Sequence, residues 1–151
     1  MSIQETAQLG LAFRFEVIVD GFDLGSWSSC KGLGVTFKHE KVIELGQHAG
    51  TTYIPGRAEY TPITLQRAMT AGDWNTTKAW LEQVTSDDWL LMQAATNPAT
   101  ITMKDAKLGV VATWTLRNAM PSSWKGPQLD ASGKSVGLET LDLVHEGFLD
   151  D

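Results

Sequence analysis

The chain has 151 residues, of which 42% are hydrophobic and 20% are charged, a composition typical of a compact globular domain and not of a disordered segment. Its 18 acidic and 12 basic side chains give a formal net charge of −6. Because nucleic-acid binding needs clustered cations to neutralise phosphates, this balance argues against sequence-specific nucleic-acid recognition.

The N-terminus and the cysteine content limit the cellular setting. Residues 1–10 have neither a basic start nor an apolar run, so we expect a flexible N-terminal segment and no signal peptide. No apolar stretch approaches the roughly 20 residues that span a bilayer, and the single cysteine, Cys30, allows no internal disulfide. We therefore expect one domain over residues 1–151, made in the cytoplasm and not inserted into a membrane.

The first part of the chain alternates between strand patterns and turns. Residues 11–19 place apolar side chains at every odd position, which predicts a half-buried strand, and the Asp and Gly residues of 20–25 predict turns. Residues 35–45 alternate again. His39 and Lys41 interrupt that apolar face, so we expect the middle of this strand to lie outside the core.

Residues 46–57 have the strongest loop character of the chain. They combine three glycines and a proline with little apolar periodicity, a composition typical of loops. Pro55 and Gly56 predict a fixed turn within this segment. Residues 63–69 then alternate as a strand, with Arg67 on the apolar parity.

The clearest helix pattern covers residues 73–85. Asp73 is a candidate N-cap, and apolar side chains recur on one face of the segment. Ser86 is a candidate cap for a second short helix, which Asn97 and Pro98 end.

Strand patterns return in the last third of the chain. Two alternating segments occur within residues 101–116, and residues 121–134 are typical of a second loop because they combine Pro and Gly. The last strand, residues 136–144, changes its apolar parity between Leu138 and Leu141. This change indicates either a bulge or burial of both faces.

The order of these elements predicts the fold class. Several antiparallel strands with one or two helices between them favour a mostly β fold of the α+β class. We expect an antiparallel β-barrel or sandwich with one main flanking α-helix and a second short helix.

The sequence contains no recognisable catalytic or metal-binding motif. His39, His48 and His145 lie far from one another and from any cysteine, so a zinc motif is absent and a metal site would have to assemble across the fold. Neither a phosphate-binding loop nor a nucleophile elbow is present. Cys30 is either a small buried hydrophobe, the commoner role of a lone cysteine, or a nucleophile paired with a distant histidine. We therefore expect no enzyme activity, no cofactor and no metal.

Other polar and aromatic residues favour structural roles. His145 and Glu146 form either an acid–base pair or the end of a surface strand. The six tryptophans have no regular spacing and no clusters of basic residues between them, which argues against a base-stacking surface and favours the core and subunit contacts.

Three stretches, taken in order, are similar to one family. They are FRFEVIVDG (13–21) with CKGL (30–33), PGR (55–57) with ITLQR (63–67), and WTLRNAMP (114–121) with Trp124, GPQL (126–129) and ETLDLVHEG (139–147). Each stretch alone is only a strand with a turn. The ordered set spans nearly the whole chain and resembles the contractile-phage tail tube family, which includes inner tube proteins of extracellular contractile injection systems.

This resemblance implies a β-barrel-like sandwich with one flanking helix and a structural function. Copies of the chain would form six-membered rings that stack into a hollow tube for DNA or effector cargo. The implied partners are further copies of the chain, the sheath protein, and baseplate or hub and tail-cap proteins. A baseplate or tube-initiating paralogue of the same fold and a monomeric small-molecule-binding β-barrel are the alternatives.

The resemblance also assigns roles to individual residues. The family segment that matches residues 46–57 is an extended loop against neighbouring subunits, which implies inter-subunit contact by Gly46, Gln47, His48, Tyr53, Ile54, Pro55, Gly56 and Arg57. Apart from the resemblance, Arg67 lies among the apolar residues of its strand, and it either pairs with a carboxylate across an interface or is an exposed charge at a strand edge. The positions that match structural residues of the family are Gly21, Gly32, Leu33, Leu65, Trp114, Asn118, Pro121, Trp124, Leu129, Glu139, His145, Glu146 and Gly147.

The chain departs from the family pattern in two places, and its charge has a consequence for assembly. Residues 86–97 are longer and more helical than the usual connection, and Met120 replaces a commoner aromatic residue. Six copies of a chain with net charge −6 would place roughly −36 on each ring. Because salt screens charges beyond about 8 Å near physiological strength, we expect salt to favour the stacking of rings.

Overall fold

A computed structural model describes residues 13–43, 50–86, 98–127 and 137–149 of the chain. Strands dominate these residues, and one helix, α1, lies among them. In chain order the elements are β1 (Arg14–Val19), β2 (Phe22–Trp27), β3 (Ser29–Lys31), β4 (Val35–Ile43), β5 (Thr51–Tyr60), β6 (Ile63–Ala68), α1 (Ala71–Val84), β7 (Ala99–Lys104), β8 (Val110–Leu116), β9 (Met120–Lys125) and β10 (Leu138–Val144).

Two antiparallel four-stranded sheets form a sandwich. Sheet A has the strand order β2-β1-β7-β8, and sheet B has the order β3-β6-β10-β9. The remaining strands, β4 and β5, pair with each other as a separate antiparallel hairpin, which we call the arm. The prediction of a mostly β antiparallel fold with one main helix is confirmed. Of the two predicted architectures, the described residues form the sandwich and not a closed barrel.

The core lies between the two sheets. Alternate residues of both sheets point into it, as the period of two requires: Val17, Val19, Ile101 and Leu116 from sheet A and Ile63, Leu65, Leu141 and Leu143 from sheet B are all fully buried. Trp80 of α1 is also fully buried and completes the same cluster. Each buried side chain of this kind contributes about 1.5–3 kcal/mol relative to its exposure.

The predicted turn region 20–25 divides into a turn and a bulge. Asp20 and Gly21 have φ of 50° and 82° and join β1 to β2 directly, as an Asp-Gly pair does in a two-residue hairpin. The remaining residues lie within β2, so the second predicted turn is wrong. Gly25 stands opposite Val17, where the register shifts. The Asp and Gly residues that predicted a second turn therefore form a bulge there.

Helix α1 begins two residues earlier than predicted. Thr70, and not Asp73, is the N-cap, because the Thr70 hydroxyl accepts from the Asp73 amide at 3.3 Å. Asp73 lies in the first turn, where a carboxylate complements the helix dipole. The second predicted helix falls at residues 87–97, outside the described residues.

The loop predicted at residues 121–134 is wrong at its beginning. Residues Met120–Lys125 form β9, and Pro121 pairs with Leu143 of β10. β9 is an edge strand of sheet B, and an edge tolerates a proline because an N–H there need not join a ladder. Residues 128–134 lie outside the described part of the chain.

The parity change in the last strand has a third cause that neither prediction contained. The inward face of β10 consists of Glu139, Leu141 and Leu143, which are fully buried, whereas Leu138 is 47% exposed. A carboxylate therefore occupies an inward position. The register of β10 does shift, but between Asp142 and Leu143.

Candidate assembly surfaces

The arm is the least buried part of the described chain. Nearly all residues of β4 and β5 are exposed, and five of them are large apolar side chains: Phe37 (54%), Val42 (38%), Ile43 (65%), Tyr53 (62%) and Ile54 (46%). A two-stranded hairpin alone is marginally stable in water. This concentration of apolar surface on a projecting hairpin is typical of a protein–protein contact.

The two faces of the arm differ in chemistry. In the register, Glu40 pairs with Ile54 and Val42 follows on the same face; we call this the Ile54 face. The opposite face holds Tyr53, whose ring meets that of His39 edge-on with centroids 6.2 Å apart. One face therefore combines aliphatic side chains with a carboxylate, and the other combines Tyr53 and His39 with Lys41 and Ile43.

Pro55 and Gly56 form a bulge inside β5 and do not form the predicted loop turn. The register shifts between Phe37 and His39, with Pro55 opposite His39. A Cβ on Gly56 would lie 2.7 Å from the Lys38 carbonyl oxygen, so the backbones approach too closely for any side chain. The prediction that residues 46–57 are a loop is therefore wrong from Thr51 onward, because Pro and Gly serve a bulge as well as they serve a turn.

The base of the arm is packed tightly against sheet B. Gly32 has φ of +93°, and a Cβ there would overlap the Pro62 carbonyl. The Thr61 hydroxyl donates to the Gly32 carbonyl at 2.9 Å. Only glycine can adopt this φ and allow the Pro62 backbone to come so close. This is the structural reason for glycine at position 32, which matches the family pattern.

His145 connects the C-terminal turn to the arm base. Its Nε2 lies 3.2 Å from the Thr61 carbonyl oxygen, and the Gly147 amide donates to its Nδ1 at 3.1 Å. These partners assign the neutral ring with the proton on Nε2. The ring also packs near Tyr60, with centroids 5.5 Å apart.

Burial lowers the pKa of His145 below its ordinary value. The hydrogen bond to Thr61 opposes this effect, and the charge of Arg117 adds to it.

Glu146 does not contact the His145 ring, because its carboxylate accepts from the Asn118 side-chain amide at 3.0 Å. Of the two alternatives predicted for His145 and Glu146, the structure shows the end of a strand and no acid–base contact between the two side chains.

Arg67 lies inside the molecule, so both of its predicted roles are wrong. It is only 3% exposed. Its Nε donates to Glu139, its Nη1 donates to the Leu24 carbonyl, and its Nη2 donates to the Thr77 hydroxyl at 3.0 Å. The guanidinium also stacks on Trp27, 3.8 Å from the ring centroid. Parity on a strand could not distinguish this buried network from an interface charge.

The second oxygen of Glu139 is also satisfied. It accepts from the indole Nε1 of Trp124 at 2.9 Å, and the Trp124 ring stacks on Trp74 with centroids 4.5 Å apart. Two residues predicted from the family pattern, Glu139 and Trp124, thus form one network with Arg67. Leu33 and Trp114 pack against the edge of the same core, whereas Leu129 lies outside the described residues.

The predicted contact residues divide into three groups. Residues Tyr53, Ile54, Pro55, Gly56 and Arg57 lie together, exposed, on β5 of the arm. Gly46, Gln47 and His48 lie outside the described residues. Arg67 is buried and remote from the arm of its own chain, so it does not belong to this exposed group.

A groove that the sequence gave no sign of lies at the other end of the sandwich. It encloses about 920 Å³ and is lined by Phe13, Arg14, Ser26, Trp27, Ser28, Arg67, Ala68, Thr70, Ala106 and Leu108. Its lining residues come from β1, β2, β6, the start of α1 and the β7–β8 turn. Such a groove depends on strands brought together by the tertiary fold, so no local pattern predicts it.

The described residues contain few groups arranged as catalysis or metal binding would need. Within them no group of three or more His, Cys, Asp or Glu side chains could hold a metal ion. Burial raises the pKa of the Cys30 thiol to about 12, which keeps it protonated and a poor nucleophile at neutral pH. No helix in the described ranges is long and apolar enough to cross a membrane.

A two-sheet domain with a projecting apolar arm is a structural module suited to assembly. The family model of the T4-like virus tail tube protein gp19 matches residues 11–149. The chain therefore belongs to this tail tube family, as its sequence pattern predicted. No curated protein matches the chain significantly.

Solved structures support the same fold. The chain is similar to one in the sheath–tube complex of the PVC extracellular contractile injection system in its extended state, with 20% identity, a TM-score of 0.69, and coverage of 97% of this chain and 95% of the other. It is also similar to a chain of the PVC sheath/tube terminator, with 21% identity, a TM-score of 0.67 and coverage of 89% and 90%. A chain of the anti-feeding prophage baseplate matches with 21% identity, a TM-score of 0.61 and coverage of 90% and 89%.

Proposed function

We propose that copies of this chain assemble through the arm into six-membered rings, which stack into the hollow inner tube of a contractile tail or injection particle. The observation that carries this proposal is the arm itself. Its apolar side chains are exposed in the single chain, and burial by a neighbouring copy would remove that surface from water.

The open sheet edges support the same assembly. β2 and β8 end sheet A, and β3 and β9 end sheet B, so within the described residues each sheet keeps unpaired backbone groups at its sides. Strand edges of this kind pair readily with another chain. Heterologous side contacts that close would give a ring, and contacts that repeat along an axis would give a tube.

The proposed partners are further copies of the chain, the sheath, the baseplate or hub, and the tail cap. The similarity to chains of sheath–tube, terminator, baseplate and cap structures supports this set. In this proposal the chain functions inside an assembled particle, the lumen carries DNA or effector cargo, and the protein has no enzymatic role.

A second candidate within the same family is a tube-initiating or tube-terminating paralogue. It is favoured by the nearly equal TM-scores of the terminator chain (0.67) and the sheath–tube chain (0.69). A paralogue of this type would form single rings or need a preformed tube end, whereas the inner tube subunit would polymerise by itself.

Negative-stain electron microscopy and gel filtration of the chain expressed alone test the proposal. Long tubes identify the inner tube subunit, and isolated rings favour the paralogue. Ile54→Asp should abolish both. Ile18→Asp is the matched control, because Ile18 on sheet A and Ile54 on the arm are each 46% exposed. Loss of assembly in both variants, or in neither, would contradict the assignment of the arm.

A further inference from the structure

The arm and the groove lie at opposite ends of the sandwich. At one end the arm leads through Thr61 into the start of β6, and β10 ends beside it before His145. At the other end β6 finishes at Ala68, which pairs with Leu138 at the start of β10. The groove is lined by Ala68 and by Leu108 of the β7–β8 turn, so it belongs to this second end.

The groove combines apolar walls with positive charge. Trp27 forms part of its wall, and Leu108, which is 63% exposed and has φ of 64°, forms part of its rim. Arg14 is exposed at the start of β1 and makes no ion pair with any residue the structure describes. Among the residues that the structure describes, no carboxylate lines the groove. An occupant with an aliphatic surface and one negative charge would therefore complement it.

The Ile54 face of the arm has this chemistry. Ile54 and Val42 supply the aliphatic surface, and Glu40 supplies a carboxylate that makes no ion pair among the described residues. The other carboxylate described on the arm, Glu59, is already 3.6 Å from Lys38. One chain thus presents the Ile54 face at one end and a groove of complementary chemistry at the other.

We propose that the groove receives the Ile54 face of the arm of a second copy, with Glu40 of one copy paired to Arg14 of the next. This contact rests on the proposed function and names the receiving surface of the arm. Because the Ile54 face and the groove lie at opposite ends of the chain, their contact is heterologous. It repeats from copy to copy and does not close into a symmetric dimer. The groove is then the site that sets the head-to-tail order of the copies.

A charge swap tests this pairing. Arg14→Glu and Glu40→Arg each put like charges together at the interface, so each should lower the pelleted tube fraction at least about tenfold. The double variant restores the pair and should recover the wild-type fraction to within about twofold. Arg14→Glu combined with Glu59→Arg is the mismatched control and should not recover it.

Sedimentation velocity of the same variants, at concentrations too low for tubes, separates this proposal from the proposed function. Tubes in the wild type with no recovery in the swapped double variant would overturn the groove contact and leave the tube function intact. If the wild type makes no tubes but still self-associates, and the swapped double variant recovers that self-association, the groove contact is supported and the tube function is overturned. A wild type that stays monomeric in both assays would overturn both.

Discussion

Arg67 on β6 and Glu139 on β10 stand directly opposite each other, and their ion pair is enclosed in the core beneath the ring of Trp27. Both side chains are almost completely buried. The other two nitrogens of Arg67 and the second oxygen of Glu139 have partners of their own, among them Thr77 and Trp124. A buried pair of charges is tolerated only when its remaining groups are satisfied in this way.

Removing one partner of this pair should be strongly destabilising. Arg67→Met leaves the Glu139 carboxylate buried without a counter-charge, and we expect the free energy of unfolding to fall by about 3–5 kcal/mol. Urea denaturation in the Ile54→Asp background, which keeps assembly from contributing to stability, measures this loss.

The matched control replaces both charges. Arg67→Met with Glu139→Leu removes the uncompensated carboxylate, so most of the lost stability should return. A double variant that is less stable than Arg67→Met alone would contradict this view of the pair.

Acid should loosen the contact between the C-terminal turn and the arm base. The pKa of His145 is lowered in the folded protein, so the unfolded chain takes up a proton first as the pH falls. The stability from the neutral ring is therefore fully present above the unfolded pKa of about 6.5 and is lost as the pH falls through the folded pKa. Protonation of Nδ1 would also face the Gly147 amide, which donates to that atom.

The measurement is the urea midpoint at pH 7.5 and at pH 5. His145→Gln should lower the midpoint at pH 7.5 and reduce its change between the two pH values. His39→Gln, on the exposed face of the arm, should keep the wild-type pH dependence. An equal pH dependence in wild type and His145→Gln would show that His145 does not carry the effect.

Salt should favour assembly. A ring of six chains would carry roughly −36, because each chain has a net charge of −6, and screening reduces repulsion between stacked rings. We expect the pelleted tube fraction to rise between about 10 mM and 150 mM NaCl, over which the Debye length falls from about 30 Å to 8 Å. Tubes that form best in low salt would show that ion pairs dominate the interfaces.

Local patterns were sufficient for most strands and for α1. The alternation of β1 and β6 and the Asp20–Gly21 turn are local features, so a single sequence contains them. The family resemblance also needed no tertiary information, because the order of the short stretches carried it.

What the sequence could not predict depends on contacts between distant residues. Arg67 and Glu139 are 72 positions apart, and only strand pairing shows that their charges meet inside the core. Pro55 and Gly56 are equally compatible with a loop and with a bulge, and the partner strand β4 decides between them. The groove is formed by four separate segments of the chain, so it exists only in the folded chain.

Adding a methyl group at Gly56 should separate the strength of the arm from that of the sandwich. In Gly56→Ala the new Cβ would lie 2.7 Å from the Lys38 carbonyl oxygen, and backbone atoms cannot yield as a flexible side chain can. We expect faster hydrogen exchange at the amides of β4 and β5 and at least about a tenfold loss of tubes, because the bulge that shapes the arm is lost. The amides of β6 and β10 should remain protected, since the arm pairs with neither sheet. Gly34→Ala is the control at the arm base, where a Cβ meets nothing within 4 Å, and it should assemble as wild type. Normal tubes from Gly56→Ala would show that the close approach at the bulge is dispensable for assembly.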